Sequence, residues 1–339
     1  MYASIIRNMA ACYLRGDRFV THPVLVSLYV THRCNLRCTY CSDGCSNPFY
    51  LDSREELPVK DIRKVLEKIV RTTRYLDITG GEPLLRDDII EIITCARQCG
   101  FKGIFLNTNG LLLDRFPGII DKVDMLSVSL DSLYPERLKN FYRTDINNVN
   151  TILNNIKCIS KDNNKKKFFL SSVIMPDNIN DVIEVAEFCM NHKIGFTASP
   201  QLKGILAAEE LFDSDKYRTC IDYIISRKKK GLRVLGSVEY YKTIRDFRSY
   251  KCFPLLHTAI DPSGKLYLPC LELKGKMVNL MEFESLGDAI VSRFNGAPHQ
   301  PDCGNVCHIL CHAGLSLLIK NMSVSLSELY YDLRDKVLN

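Results

Sequence analysis

Three cysteines share one short stretch, Cys34-Asn-Leu-Arg-Cys38-Thr-Tyr-Cys41, directly after the apolar, β-branched run Val24 to Val30. Three thiolates supplied by a single turn can hold three irons of a cubane cluster and leave the fourth iron open, whereas a cluster saturated by protein takes four. A zinc site would instead want paired C-x2-4-C ligands and a fourth donor close by, which Cys45 would supply. A second group lies near the other end: Cys252, Cys270, Cys303, Cys307 and Cys311. Asp261 to Gly264 reads as a turn between two short strands, so a hairpin would bring Cys252 and Cys270 together. Cys303, Cys307 and Cys311, at i, i+4 and i+8, would share one face if that segment were helical. These five suggest a second cluster ligated wholly by protein, with buried structural thiols or zinc as the alternatives.

Between the two groups run several polar motifs. Gly80-Gly81-Glu82-Pro83 exposes backbone, because glycine permits close approach, and its carbonyls and the Glu82 carboxylate can accept hydrogen bonds from an ammonium group. Asn107-Thr108-Asn109-Gly110 has the composition of a turn. In Ser127-Val-Ser129-Leu-Asp131 the three polar residues share one face of a strand by their period of two. Arg143 carries a guanidinium shaped for bidentate carboxylate binding, and Ser171 and Ser172 are weaker candidates for contacting hydroxyls. Each has a plain alternative: a strand-to-helix turn, a polar interior, a surface arginine.

The elements that must position these residues alternate. The patterning predicts strands at Tyr75 to Thr79, Gly103 to Leu106, Met125 to Leu130, Phe168 to Ile174 and Ile194 to Ala198, after a first strand at Val24 to Val30. Helices are expected at Val59 to Val70, Asp87 to Gly100, Asn148 to Ser160 and Asp181 to His192, with a short helical connection from Ile119. Such alternation implies βαβ units and a parallel sheet, and six of them fit a partial (β/α)6 TIM-like barrel of α/β class followed by a small cysteine-rich α+β extension. Every polar motif falls just after a predicted strand, which gathers them on the C-terminal face, where such barrels carry their active sites. The expected divisions are residues 1–23 as an N-terminal extension, 24–235 as the barrel and 236–339 as the cysteine-rich unit.

Composition narrows the class. With 339 residues, 46% of them hydrophobic and 25% charged, the chain is ordinary globular protein. The net charge of +6 comes largely from local runs such as Lys165–Lys167 and Arg227–Lys230, which read as solvated faces and not as a nucleic-acid footprint. No apolar stretch reaches the roughly 18 residues of a membrane helix. Met1 to Gly16 reads as a short amphipathic helix that packs on the core or touches a membrane surface, and it lacks a signal-peptide pattern. Fifteen cysteines, an odd number in clustered spacings, point to metal or cluster ligands in a reducing, cytoplasmic setting instead of secreted disulfides.

The cysteine spacing, followed in order by Gly80–Pro83, the Asn107–Gly110 turn and the Ser127–Asp131 segment, resembles the radical S-adenosylmethionine (radical SAM) superfamily over about Val24 to Pro200. The resemblance implies a [4Fe–4S] cluster on Cys34, Cys38 and Cys41 whose open iron binds the amino and carboxylate groups of SAM. It implies reductive cleavage of SAM to a 5′-deoxyadenosyl radical that takes a hydrogen atom from substrate. By the same resemblance Gly80, Gly81, Glu82 and Pro83 contact the methionyl amine, Ser129 approaches the ribose or methionyl carboxylate of SAM, and Arg143 meets the SAM carboxylate. The Asn107–Gly110 turn then lies below SAM and shapes the barrel, with Asn107 or Asn109 as a candidate ligand. The C-terminal cysteines are similar to SPASM and twitch extensions, but C-x3-C-x3-C with no cysteine after Cys311 departs from the seven-cysteine SPASM pattern. One auxiliary [4Fe–4S] cluster is therefore expected, with Cys252 and Cys270 the firmer ligands and the choice among Cys303, Cys307 and Cys311 open. The implied partners are an electron donor such as flavodoxin or ferredoxin and a substrate in peptide or protein modification. Only about twenty residues precede the first strand, so no separate N-terminal peptide-recognition domain is expected, which weakens ribosomal-peptide maturation as the substrate reading. The alternative is small-molecule, lipid or cofactor biosynthesis. A non-catalytic iron–sulfur carrier and a zinc-stabilised binding protein are further readings, neither of which needs Gly80–Pro83 or Arg143.

Overall fold

The computed structural model describes residues 23–41, 48–271, 276–294, 303 and 307–338. The expected helix over Met1 to Gly16, and Cys45, lie outside these residues. The strands are β1 (Leu25–Thr31), β2 (Tyr75–Gly80), β3 (Gly103–Thr108), β4 (Met125–Ser129), β5 (Phe168–Ile174) and β6 (Gly195–Pro200), each parallel to the next. Between them run α1 (Val59–Val70), α2 (Ile89–Cys99), the single-turn α3 (Ile119–Lys122), α4 (Pro135–Tyr142), α5 (Ile146–Ile159) and α6 (Ile179–His192). The α1 sequence shows why: Asp61 sits in its first turn, Pro58 just precedes it, and Ile62, Val65, Leu66 and Ile69 recur on one buried face.

Strand residues alternate between two faces. Val26, Leu28, Leu76, Ile78, Ile104, Leu106, Leu126 and Val128 point to the helices and share one buried cluster with the apolar faces of α1 and α2. The intervening residues, among them Ser27, Asp77, Asn107, Ser127 and Ser129, point to the concave side. The sheet is not closed, as in an incomplete TIM-like barrel.

The C-terminal part does more than follow the barrel. After a two-stranded ribbon (β7, Leu202–Lys203; β8, Leu206–Ala207), α7 (Asp215–Lys229) and α8 (Val238–Arg245), strand β9 (His257–Ile260) pairs in parallel with β1, setting His257 beside Leu25 and Ala259 beside Ser27. β10 (Lys265–Leu268) and β11 (Lys276–Asn279) continue the same sheet antiparallel, giving the order β11-β10-β9-β1-β2-β3-β4-β5-β6. The expected hairpin about Asp261 to Gly264 is present, closed by Gly264 N–H to the Asp261 carbonyl and by the Asp261 side chain. The expected single helical face for Cys303, Cys307 and Cys311 is corrected: after α9 (Leu286–Phe294), helix α10 (Leu310–Lys320) begins only at Leu310, with Ile309 extended ahead of it. Of the three cysteines only Cys311 is helical.

The last helix, α11 (Met322–Leu338), is locked to α7 by a buried ion pair, Lys228 Nζ to Glu328 Oε2 at 2.8 Å, with Lys228 also donating to the Val234 carbonyl. Breaking one side leaves a buried charge alone, so Glu328→Ala is expected to lower unfolding stability by ~3–5 kcal/mol in urea titrations. Adding Lys228→Met to that variant should recover most of the loss.

Candidate active site

The loop carrying Cys34, Cys38 and Cys41 leaves the C-terminal end of β1 and is held from several sides. Leu36 plugs into the core. Arg37 N–H donates to the Tyr142 carbonyl at 3.0 Å and Thr39 N–H to that of Phe141 at 2.8 Å, tying the loop to the end of α4. The Tyr40 hydroxyl donates to the fully buried Asp131 carboxylate, which also accepts from Val173 N–H at 2.7 Å. Asn109 Nδ2 donates to Asn35 Oδ1 at 2.7 Å and lies 4.0 Å from Cys34 Sγ.

The Gly80–Pro83 turn lies directly against the loop's base. Gly81 N–H donates to Thr31 O at 2.9 Å and Glu82 N–H to Arg33 O at 2.8 Å. A Cβ at Gly81 would stand 2.5 Å from the His32 carbonyl oxygen and closer still to that of Arg33, so only glycine fits. Glu82 is wholly buried and accepts from Leu84 N–H at 2.9 Å, Thr108 Oγ1 at 2.8 Å and Asn109 N–H at 2.7 Å. Its carboxylate knits the β2 turn to the β3 turn. Gly80 and Gly81 are half-buried, and Glu82 and Pro83 are buried.

All three thiols are half-buried. Burial first, then neighbouring charges that include Glu82 and Cys41, pushes Cys34 up to about 11. Burial followed by Asp131, Cys34 and Cys41 raises Cys38 further. Cys34 and Cys38 therefore favour the protonated form, which a metal would have to displace. The three thiols lie near enough to influence one another's charge.

Ser129 ends β4 on the concave side, half-buried. Arg143 is exposed, in the left-handed conformation that ends α4, one residue beyond the carbonyl that grips Arg37. The structure thus gathers Cys34, Cys38, Cys41, Gly80 to Pro83 and Asn109, with Ser129 and Arg143 at the rim.

The C-terminal cysteines form a separate group. Burial, then Cys307 and Cys252, with Cys303 also acting, raise Tyr250; the Tyr240 phenol is raised by burial and is also influenced by Cys311 and Cys307. Cys252, Cys303 and Cys307 thus lie near the Tyr250 phenol, and Cys307 and Cys311 near that of Tyr240. Cys270 is buried just past β10.

Similarity to known proteins agrees with this geometry. A sequence profile of the Radical SAM superfamily matches residues 28–189. A probable GTP 3',8-cyclase of Methanothermobacter thermautotrophicus is 30% identical over 291 residues, 78% of this chain and 89% of that one. The chain belongs to the radical SAM superfamily. A GTP 3',8-cyclase of Synechocystis sp. is 33% identical over 196 residues, 54% of this chain, and there the chain spans only 58% of the relative. Among solved structures, Streptococcus suis SuiB bound to precursor peptide SuiA superposes with a TM-score of 0.62 at 18% identity, covering 90% of this chain and 74% of that one. Native anSMEcpe with bound AdoMet gives 0.59 at 14% identity, covering 84% and 89%. At such identities these two likenesses establish the fold. As a radical SAM enzyme the chain uses SAM and a [4Fe–4S] cluster, and its remaining cysteines fit an auxiliary one.

Residues without a strong sequence signal complete the site. Tyr40 lies inside the cysteine motif, yet its bond to Asp131 follows only from the fold. Asp77 stands as an acidic residue in an otherwise apolar strand, a signal that marks it as unusual. His257 reaches the barrel only because β9 pairs with β1, which no local pattern announces.

Burial lifts Asp77, Glu82 and Asp131 above the ordinary carboxylate range, to about 6, 7 and 6. The folded protein then binds more protons than the unfolded chain between about pH 4 and 7, so stability from these groups is greatest at the acid end and declines until pH passes their folded values. The urea midpoint of iron-free protein is expected to fall over that window by roughly a few kcal/mol equivalent. Asp131→Asn should show a shallower decline. Gly81→Ala should lower the melting temperature and weaken iron retention together.

Proposed function

We propose that Cys34, Cys38 and Cys41 hold the SAM-binding [4Fe–4S] cluster and that the enzyme acts on a small molecule, in biosynthesis of the cofactor kind. The observation that carries the cluster assignment is three half-buried thiols on the loop after β1, whose base is hydrogen-bonded to the Gly81 and Glu82 backbone after β2. The donor set fits: three soft ligands come from one loop, and the carboxylates nearby, Glu82 and Asp131, already accept internal hydrogen bonds.

A [4Fe–4S] cluster held by Cys34, Cys38 and Cys41 would supply the one electron for reductive cleavage of SAM. The chain's own residues do the placing. Backbone at Gly80 and Gly81 accepts the methionyl ammonium, Arg143 turns inward to its carboxylate, and Ser129 meets the ribose from the concave side. Tyr40 and Asp131 keep the loop seated and water out. A one-electron donor of the flavodoxin or ferredoxin type supplies reducing equivalents. Cys252 and Cys270, with ligands from Cys303, Cys307 and Cys311, hold one auxiliary [4Fe–4S] cluster within the C-terminal unit that follows residue 235.

The sequence alone favours peptide or protein modification. The curated relatives favour the small-molecule alternative, since both named above are GTP 3',8-cyclases. The precursor peptide bound to SuiB belongs to a protein that shares the fold at 18% identity and carries no weight on substrate. No helix of the described residues is long and apolar enough to cross a membrane.

Anaerobic reconstitution should give about eight irons per chain, matching two four-iron clusters, and SAM with dithionite should yield 5′-deoxyadenosine. Cys34→Ala is expected to keep about four irons and abolish SAM cleavage. Zinc in place of iron, or cleavage that survives Cys34→Ala, would contradict the assignment.

A further inference from the structure

Below the cysteine site, within the concave face, β1, β2, β3 and β9 each contribute a polar side chain to one connected cluster. Ser27 Oγ donates to Asp77 Oδ2 at 2.7 Å, Asn107 Nδ2 donates to Asp77 Oδ1 at 2.6 Å, and His257 Nε2 lies 2.8 Å from Ser27 Oγ. Ser27 has one proton and gives it to the carboxylate, so His257 is the donor on its other side. All these donors lead to Asp77, whose oxygens keep further accepting capacity. None of the four residues makes the hydrogen bonds that hold the cysteine loop, which come from Thr31, Asn109, Asp131 and the end of α4. A carboxylate buried in the middle of a parallel sheet is costly where an apolar residue would serve the fold. Burial lifts Asp77 to about 6, which leaves it ionised at neutral pH.

Among the described residues, no Lys or Arg stands at a concave-face position of β1 to β6. Arg233 reaches this face only at the N-terminal end of β5, where its guanidinium lies 4.9 Å from the centre of the Phe169 ring and donates to the Lys166 carbonyl. A phosphate placed against the cluster would meet the Asp77 carboxylate without a facing cation, whereas an amine, amide or hydroxyl would find an acceptor.

We propose that Ser27, Asp77, Asn107 and His257 form the substrate-anchoring site of the barrel, and that it takes the amine, amide or hydroxyl end of a small molecule carrying no phosphate. This rests on the small-molecule reading above and narrows it: the substrate is not a nucleoside triphosphate, unlike the GTP in the names of the curated relatives. Asp77 is the specificity-determining residue.

The test uses reconstituted holoenzyme with SAM and dithionite, given the ultrafiltered metabolite pool of the cells the protein comes from. Titanium dioxide divides that pool into phosphate-bearing and phosphate-free fractions, and 5′-deoxyadenosine is the readout. The phosphate-free fraction should raise its formation by about tenfold, and Asp77→Asn should raise the amount of that fraction needed for half-maximal effect by about tenfold. His257→Gln should shift it in the same direction and serves if Asp77→Asn fails to fold. Stimulation by the phosphate-bearing fraction or by GTP alone would overturn the proposal while leaving a small-molecule substrate in place, and so would variants that change only the maximal rate. Stimulation by the macromolecular fraction alone, or by no fraction, would remove the small-molecule reading and this inference with it.

Discussion

Between Thr31–Arg33 and Gly80–Glu82 two backbones touch with no side chain between them. The contact consists of two N–H to carbonyl bonds, at 2.9 and 2.8 Å, made where the pairing of β1 with β2 shifts register and the strands end. Because there is no room for a Cβ at Gly81, the turn after β2 can lie flat against the base of the cysteine loop. Everything else at this end of the barrel is arranged around that closeness. Glu82 reaches past the contact to the turn after β3, and Asp131 reaches from β4 back to Tyr40 in the loop itself. The loop is thereby fixed by the strands.

Buried carboxylates do two different things in this molecule. Glu82 and Asp131 are consumed by the architecture: each is wholly buried and accepts hydrogen bonds from neighbouring turns and strands, so losing either would loosen the loop. Asp77 has the same origin in burial but a different setting, on the concave wall among serines, an asparagine and a histidine. The first pair shapes the cysteine loop and the turns packed against it. The last gives the concave wall its only carboxylate among the described residues of the six strands, and with it a preference for what lies there.

Much of this was legible in the sequence because the barrel is built from local, repeated patterns. α1 and β5 lie where periodicity puts them, at Val59–Val70 and Phe168–Ile174. The cysteine spacing and Gly80–Pro83 stood out because few other chemistries need those residues in that order. What was not legible depends on pairing between distant segments. α4 has a mixed, largely polar sequence, and its place is set by its grip on Arg37 and Thr39. The union of β9 with β1 joins residues more than two hundred positions apart, and only that union brings His257 to Ser27. The helical face expected for Cys303, Cys307 and Cys311 failed for a related reason: spacing alone does not say where a helix begins, and this one begins at Leu310.

The central claim is that the Cys34–Cys41 loop leaves one iron open for SAM. Electron–nuclear double resonance on the reduced enzyme, with SAM labelled by nitrogen-15 at its amino group, tests it directly. A resolved coupling of that nitrogen to the cluster, lost in Cys38→Ala, is expected if the open iron takes the amino group of SAM. A reduced cluster on this loop that shows no such coupling with SAM bound would contradict it.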